Sequence, residues 1–575
     1  MYRKKLLARI TALCMAGTMA FCAAGCGQQA GATAQTGPES VEKENGGATA
    51  EGMQTKEHDG QDTSADPLGK YEEGITLTTI RGITNRTYPE GQTWDNNVWT
   101  QKFEDALGIT FDYVWSCDSK EFDSKMNVAI ATNDLAELML VPYDTFYRMA
   151  KAGLLEDLSG AYETYASDEM KKRITYSDGI ALEACTIDGK LYGLGSAPYY
   201  GGQLLWYRND WAEKVGITKP PKTIDEVIDM AYKFAKEDPN SDGSSTVGFA
   251  LSKEMFDGGY PIEGLFAAYN AYPTIWIEKD EGIEFGGVQD EVKDVLVKMH
   301  QWYKDGVIDN DWLNKGCWNE AFDDQIKGKI GMAFGYNWFG DWGTGKVMEA
   351  FGYDATWTCM AIPNVDGEPS KVPVQAKQNK VLCAVKGSEH PEALVKMVNL
   401  AIVAASDEGL NTMIDDEGNT IPTHFYKADL MGVPADEPYW NYYCALEVQK
   451  ALETGDTSSL TPETQSYYDR CQKFLAKEDP NGYCSYSVFG PGGSMTLEYD
   501  LIQKGCNKVN AYYGANTDTM NDKWGQLQSK KLEIYSKIIV EGNADAVWQE
   551  WLDYFESQGG AEITAEVNEW YKEQN

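Results

Sequence analysis

Histidine is scarce in this chain of 575 residues, four in all, and basic side chains are outnumbered: 50 Lys and Arg stand against 89 Asp and Glu, a formal net charge of -39. Binding a phosphate backbone requires a basic face, so nucleic acid is not an expected partner. The acids are spread along the chain and serve solubility as readily as function. Neither H-E-x-x-H nor G-x-S-x-G occurs, which removes the parts for zinc-peptidase and serine-hydrolase chemistry. Carboxylate pairs of the glycosidase kind stay open, because 89 acids produce chance pairs. No Cys-x-x-Cys is present, so neither a zinc ribbon nor a redox pair is indicated. Gly340 to Val347 has the glycine and lysine spacing of a phosphate loop but ends on Val347, which has no hydroxyl for magnesium.

Long apolar runs are also missing, except at the start. Tyr2-Arg3-Lys4-Lys5 and Arg9 form a basic head, Ile10 to Ala24 an apolar stretch too short for a stop-transfer helix, and Ala23-Ala24-Gly25 precede Cys26. This pattern predicts a signal peptide over residues 1–25 and lipidation of Cys26, because a lipoprotein leader needs a thiol directly after its small residues. Cys22 follows the bulky Phe21 and fits less well. From Gly27 to about Pro67 the chain has too few branched or aromatic residues to offset chain entropy, and it reads as a disordered tether containing His58. About 40 such residues reach roughly 35 Å. With Cys14 and Cys22 lost and Cys26 anchored, nine cysteines remain, an odd number that favours buried free thiols with room for a disulfide or two.

The remaining 500 or so residues are enough for two or more domains. Ile75 to Ile80 reads as a strand, Asn96 to Leu107 as a helix stopped by Gly108, Ile109 to Val114 as a strand, Lys120 to Thr132 as a helix and Leu138 to Val141 as a strand. That alternation predicts right-handed crossovers and a parallel sheet, with ligands at the strand carboxyl ends, in the loops 81–94 and 142–146. A second α/β set begins near Gln203 with a strand over Leu204 to Arg208. Thr223 to Glu226 reads as a capping box, and amphipathic helices follow over Asp290 to Tyr303 and after Pro391, with a strand over Lys329 to Phe334 between them. From about Asp436 the chain reads as largely helical.

Four stretches, LLWYRNDWAEKVGITKPPKTIDEVIDMAYKFAKEDPN, TIDGKLYGLGSAP, KIGMAFGYNWFGDW and GGAEITAEVNEWYKEQN, resemble the extracellular solute-binding lipoproteins of ABC importers, sugar-binding family one. At this length the chain resembles the alginate-type and other oligosaccharide-binding members. The resemblance implies a two-lobed α/β fold of the periplasmic-binding-protein type, class II, with extra C-terminal helices. Linker then spans 26–70, one lobe 71–195 plus about 375–430, the other 196–374, and a mainly helical region 431–575 packs on lobes and hinge.

Asp238, Asn240 and Asp242, with Gly243 at the sharp turn, Ser244 and Thr246, follow the spacing of a calcium loop. Related oligosaccharide binders carry such a loop here, with an acid where Thr246 stands; Phe249 replaces the bidentate Glu, and a metal-free Asx-rich turn is the other reading. Any calcium would be structural, and no catalytic cofactor is implied.

Tyr (34) and Trp (17) supply rings with a polar handle, suited to stacking on a pyranose. Trp338 matches the place where maltodextrin-type relatives present a stacking Trp, and Tyr143 and Asp144 the loop where they hold a sugar-binding carboxylate. Tyr199 and Tyr200 sit on the crossover, and Arg86, Tyr88 and Trp94 on the first ligand-facing loop. Arg208 either forks to a ligand or pairs with Asp210, and Trp206 and Trp276 complete the candidates. The expectation is a monomeric receptor, lipid-anchored on the extracellular face of the cell membrane, that captures an oligosaccharide for an ABC permease without catalysis. A surface glycan hydrolase and a receptor for peptides or other solutes are the alternatives.

Overall fold

The computed structural model describes residues 66–574, apart from 177–178, 406, 408, 415–419 and 422. The leader, Cys26, His58 and most of the tether lie outside the described residues. β-branched residues form β1 (Ile75–Ile83), three residues longer than the sequence suggests because Arg81 is buried within it, its guanidinium 5.8 Å from the Trp94 ring centre. Helix α1 (Val98–Leu107) is capped by Asn97, whose side chain accepts from Trp99 and Thr100 N–H while Thr100 Oγ1 accepts from Asn97 N–H at 2.8 Å. It ends at Gly108, whose φ of 70° is cheap only without a Cβ. Strand β2 (Ile109–Asp118), α2 (Phe122–Thr132), β3 (Met139–Pro142) and α3 (Tyr143–Lys151) follow. β1 and β2 run parallel with Ile75 opposite Ile109, and Thr79 bridges Leu138 in the same sense just ahead of β3.

The short β4 (Gly193–Leu194) precedes the first crossing to a second core. There β5 (Leu204–Arg208) is buried on both faces, which is why it reads as a continuous apolar run. Helix α4 (Ile224–Lys236) has half the expected capping box. Thr223 Oγ1 accepts from Glu226 N–H, but the Glu226 carboxylate takes Lys222 N–H at 2.7 Å, one residue earlier than the motif predicts. Helix α5 (Asp290–Lys304) buries Val292, Val295, Leu296, Met299 and Trp302 along one stripe. Strand β6 (Met332–Gly335) starts three residues later than expected, and it and β7 (Trp357–Met360) both pair antiparallel with β5. Strand β8 (Val372–Val374) leads back, and β9 (Lys380–Cys383) pairs antiparallel with both β3 and β4 in a sheet of order β3-β9-β4, which the Thr79–Leu138 bridge links to the β1-β2 pair. A strand delivered from the other lobe enters in the opposite sense, which the local β-α-β pattern does not reveal. Helix α6 (Glu392–Val403) then covers this sheet.

Two apolar cores result, one built from Leu77 to Leu194 and Val381 to Ala435, the other from Leu205 to Val372 and Tyr512 to Val567. Each fully buried large side chain contributes about 1.5–3 kcal/mol. The C-terminal helices α7 (Trp440–Thr454), α8 (Pro462–Leu475), α9 (Gly482–Phe489) and α10 (Ser494–Gln503) pack together and, through Tyr483, Tyr486 and Leu497, against the Trp206 and Phe339 core. The packing of α9 also settles the phosphate-loop lookalike. Cβ atoms at Gly340 and Gly345 would strike Ser487 and Asn481, so no cradle is open there. Strand β10 (Asn507–Val509) lies parallel to β8, and α11 (Asp518–Glu541) and α12 (Ala544–Phe555) close the second core. All nine cysteines of the body are free thiols.

Three segments therefore run side by side between the cores: 195–203, 372–380 and 505–516. Asn507 Nδ2 donates to Tyr200 O at 2.7 Å, Ser196 N–H to Gln378 Oε1 at 2.9 Å and Asn510 Nδ2 to Gln375 Oε1 at 2.8 Å. Side-chain amides tie 195–203 to the other two segments, which are also joined by backbone hydrogen bonds, from Val372 N–H to Cys506 O at 3.1 Å and from Asn510 N–H to Val374 O at 2.9 Å.

Candidate ligand-binding site

After β6 the chain turns into a short 3-10 helix over Asn337–Asp341 that exposes one large ring and buries its neighbours. Trp338 is 37% exposed while Phe339 is fully buried against Trp206, Tyr260 and Trp357. Trp318, 56% exposed, lies nearly parallel to Trp338 at 6.1 Å and 18°, and Tyr336 is also nearly parallel to Trp338 at 5.9 Å and 24°. Trp342 stands edge-on to both tryptophans and is itself stacked on Phe322 at 4.5 Å. Exposed rings braced this way lose little rotamer freedom when a ligand stacks on them.

Beside the rings, Asn337 is held from two directions by α10. Ser494 Oγ donates to Asn337 O at 2.7 Å, and Asn337 Nδ2 donates to Glu498 Oε2 at 2.6 Å. Tyr199, on the first crossing and 37% exposed, donates its hydroxyl to the same Glu498 oxygen. Burial pushes the Glu498 carboxyl up to about 7, with the two donors pulling partly the other way. Its second oxygen, Oε1, is buried without a hydrogen-bond partner. Burial and Glu498 together raise the Tyr199 phenol well above its usual range, so it stays a donor. From Tyr199 the rings continue edge-on to Tyr439, which meets Tyr176 of the first lobe at 6.2 Å and Tyr499 at 5.1 Å; Tyr442 stacks on Tyr499 at 3.7 Å. First lobe, crossing, second lobe and C-terminal helices thus all contribute to one polar-floored aromatic surface.

Of the candidates read from sequence, Trp338 and Tyr199 are brought together here, with Tyr200 beside Tyr199 on the same segment. The others are placed elsewhere. Tyr143 is buried with its hydroxyl on Ala184 O at 3.2 Å. Asp144 accepts from Lys377 Nζ at 2.8 Å and Asn516 N–H at 2.7 Å, so it pins the hinge rather than waiting for a sugar. Arg86 forks onto Asp429 at 2.5 and 2.9 Å with its guanidinium over Phe425, and Tyr88 stacks on Tyr426. Burial pushes Asp429 up, but the hydrogen bonds from Arg86 and Thr84 outweigh it and hold the carboxyl below its usual range. Trp94 packs edge-on to Tyr113. Arg208 resolves as the structural pair, bidentate to Asp210 at 2.7 Å and 1% exposed. Trp206 is fully buried, and Trp276 is buried against Trp524 at 6.0 Å, so neither has a face for a ligand.

In the 238–246 loop the oxygen-bearing side chains of the calcium-type spacing are engaged in hydrogen bonds within the protein. Asn240 turns inward, accepting from Trp211 Nε1 at 3.0 Å and donating to Gly328 O at 2.8 Å. The buried Thr246 hydroxyl donates to Phe234 O at 2.6 Å. Asp238 and Asp242 accept N–H groups of the loop itself, from Gly243 at 3.0 Å and Ser244 at 2.8 Å. Among the described residues no group of three or more His, Cys, Asp or Glu side chains is placed to hold a metal ion.

Sequence reading missed Trp318, Tyr336, Tyr439, Asn337 and Glu498. For Glu498 a signal existed: it falls three residues after Met495 on the buried stripe of α10, an acid at a core position.

A sequence profile described as bacterial extracellular solute-binding protein matches residues 86–407, more than half of the chain. Among curated proteins, the polygalacturonan/rhamnogalacturonan-binding protein YtcQ of Bacillus subtilis is 25% identical over 242 residues, 41% of this chain and 46% of the relative. The fructooligosaccharide ABC transporter substrate-binding protein FusA of Streptococcus pneumoniae is 22% identical over 294 residues, 48% of this chain and 53% of the relative. The chain spans about half the length of the curated relatives it matches. Among solved structures, an HMO-binding ABC-transporter-associated solute-binding protein from Bifidobacterium longum infantis superimposes with a TM-score of 0.59 at 16% identity, covering 87% of this chain and 99% of that one. The calcium-free alginate-binding protein AlgQ2 gives 0.55 at 14% identity, with coverage of 86% and 98%. At such identities the structures establish the fold, two lobes about a hinge. Among the described residues no helix is long and apolar enough to cross a membrane. With more than half of its length matching the profile and its two lobes matching the architecture, the chain belongs to the bacterial extracellular solute-binding protein family.

Proposed function

We propose that the protein captures an oligosaccharide between its lobes, on the rings of Trp338 and Trp318 beside Asn337 and Glu498, and passes it unaltered to an ABC permease. It works as a monomer held at the outer face of the membrane by lipid on Cys26. The observation that carries this reading is the exposed, nearly parallel Trp318 and Trp338 pair next to a buried acid and amide, the combination a pyranose needs: faces for its C–H groups and acceptors for its hydroxyls. The relatives named for glycan binding support the same class. Contacts from both lobes form only when the lobes shut, so the ligand favours the shut state by that difference. A micromolar ligand supplies about 8 kcal/mol in total.

Titrating neutral and acidic oligosaccharides while following tryptophan fluorescence should give a saturable change in the micromolar range, with the glycan recovered intact. Silence across the panel would reject the sugar assignment, and shortened products would select a hydrolase instead.

The 238–246 loop is, on this reading, an Asx-rich turn closed by its own hydrogen bonds. Thermal melts in millimolar calcium and in EDTA should agree to within about 1 °C, since stabilisation by a ligand follows its occupancy. A rise of several degrees with calcium would show that the loop reorganises into a metal site.

A further inference from the structure

Family membership leaves one question open that the site itself answers. The named relatives include a binder of polygalacturonan, which carries a carboxylate on its sugars, and a binder of fructooligosaccharide, which carries none. Glu498 is 1% exposed, with Oε2 engaged by Tyr199 and Asn337 and Oε1 buried and unpartnered. Oε1 abuts the crossing segment at Gly201, where a Cβ would stand 2.7 Å from it, so a side chain at 201 would crowd that oxygen. Such an acceptor is completed by a hydroxyl donor and is repelled by a second carboxylate.

The charges acting on the two ends of this surface are predominantly acidic. Those acting on Tyr336 come from Glu263, Asp257 and Glu498. Tyr176 and Tyr443, at the other end, sit in the field of Glu437. Cations near that end are Arg173 and Lys172, both paired with Glu169 at 2.8 and 3.4 Å. At the Trp318 end, Lys253 stands with Glu254 and Glu320 around Gly316. Lys531 lies behind Glu263 and is itself buried. Arg173 and Lys172 are thus claimed by Glu169, and Lys531 is withdrawn into the core.

We infer that the groove selects uncharged glycans and rejects uronate chains, with Glu498 Oε1 accepting a ligand hydroxyl as the residue that sets this choice. The inference rests on the oligosaccharide reading above. Its test is calorimetry at pH 7.5 of the full chain with uncharged tri- to pentasaccharides, with oligogalacturonates of equal length, and with the same oligogalacturonates after carboxyl reduction. At least one uncharged glycan should bind 100-fold or more tightly than any oligogalacturonate. In Glu498→Gln, checked for an unchanged melt, affinity for that glycan should fall about tenfold and the discrimination should narrow. An oligogalacturonate binding wild type as tightly as the best uncharged glycan would overturn the inference and leave the sugar reading standing. Absence of binding by every glycan would overturn both. The wild-type comparison needs no variant, so a misfolded Glu498→Gln would not rescue a negative result.

Discussion

Replacing Trp338 with alanine should weaken binding of the best glycan about 30- to 100-fold, a loss of roughly 2–3 kcal/mol, while moving the melting temperature by no more than about 1 °C. Trp338 projects from a turn whose folding is secured from behind by buried Phe339 and by the Ser494 and Glu498 bonds to Asn337. Removing the exposed ring therefore opens no cavity in the core. The loss is large because stacking on a pyranose removes a whole apolar face of both partners from water, and because Trp318 and Tyr336 have already fixed the ring's orientation. Trp318→Ala should behave similarly but with a smaller loss, since its ring is the more exposed of the two. Titration by fluorescence and by calorimetry reads both effects. If Trp338→Ala binds within threefold of wild type, the ligand lies elsewhere.

Physical reasons separate what the sequence discloses from what it hides. The first half of lobe one is legible because its elements are local: β-branched runs, a glycine stop at Gly108 and short connections leave one arrangement, and β1, β2 and β3 form it. β9 was not readable as the antiparallel member of that sheet, since its pairing with Val141 and Leu194 joins residues some 190 to 240 positions apart. For the site, Trp338 could be singled out because it follows a strand end, and Tyr199 because it lies on the crossing between the lobes. Arg86, Asp144 and Arg208 have the same residue chemistry, but their partners Asp429, Lys377 and Asp210 claim them. For Arg208 the partner lies two residues on and is visible in the sequence, whereas for Arg86 and Asp144 it is a tertiary neighbour some 230 to 340 positions away. Glu498 is the converse case, an unremarked acid in a helix that long-range packing brings under Tyr199.

The second large effect concerns stability. Lys531 on α11 is 2% exposed, its ammonium donating to Pro273 O at 3.0 Å and Gln528 Oε1 at 2.6 Å and lying 5.2 Å from the Phe285 ring centre. Burial pushes it down from 10.5 to about 7, with Glu263 pulling slightly the other way. Between those two values the unfolded chain holds a proton that the folded one has released, so the contribution of Lys531 to stability rises with pH, by about 1.4 kcal/mol per pH unit while the difference is one full proton. Below about pH 7 both states are charged and the whole penalty is present. Lys531→Met keeps the apolar stem and removes the buried charge. The variant should gain about 2–3 kcal/mol at pH 7.5, the linkage cost less the two lost hydrogen bonds, and the gain should vanish by about pH 10, where the remaining linkage cost has fallen to the size of those two bonds. The two acids that burial raises to about 7, Glu263 and Glu498, make stability fall as pH rises from about 4.5 to 7, and buried thiols such as Cys185 and Cys383, raised above their usual range, make it fall again above about pH 8, so it is the difference between wild type and variant over pH 7.5 to 10 that isolates the lysine. Denaturant melts of both proteins across that window decide the matter: a stability difference that stays flat would mean Lys531 keeps its charge in the folded chain, and one that grows with pH would reverse the assignment of its burial cost.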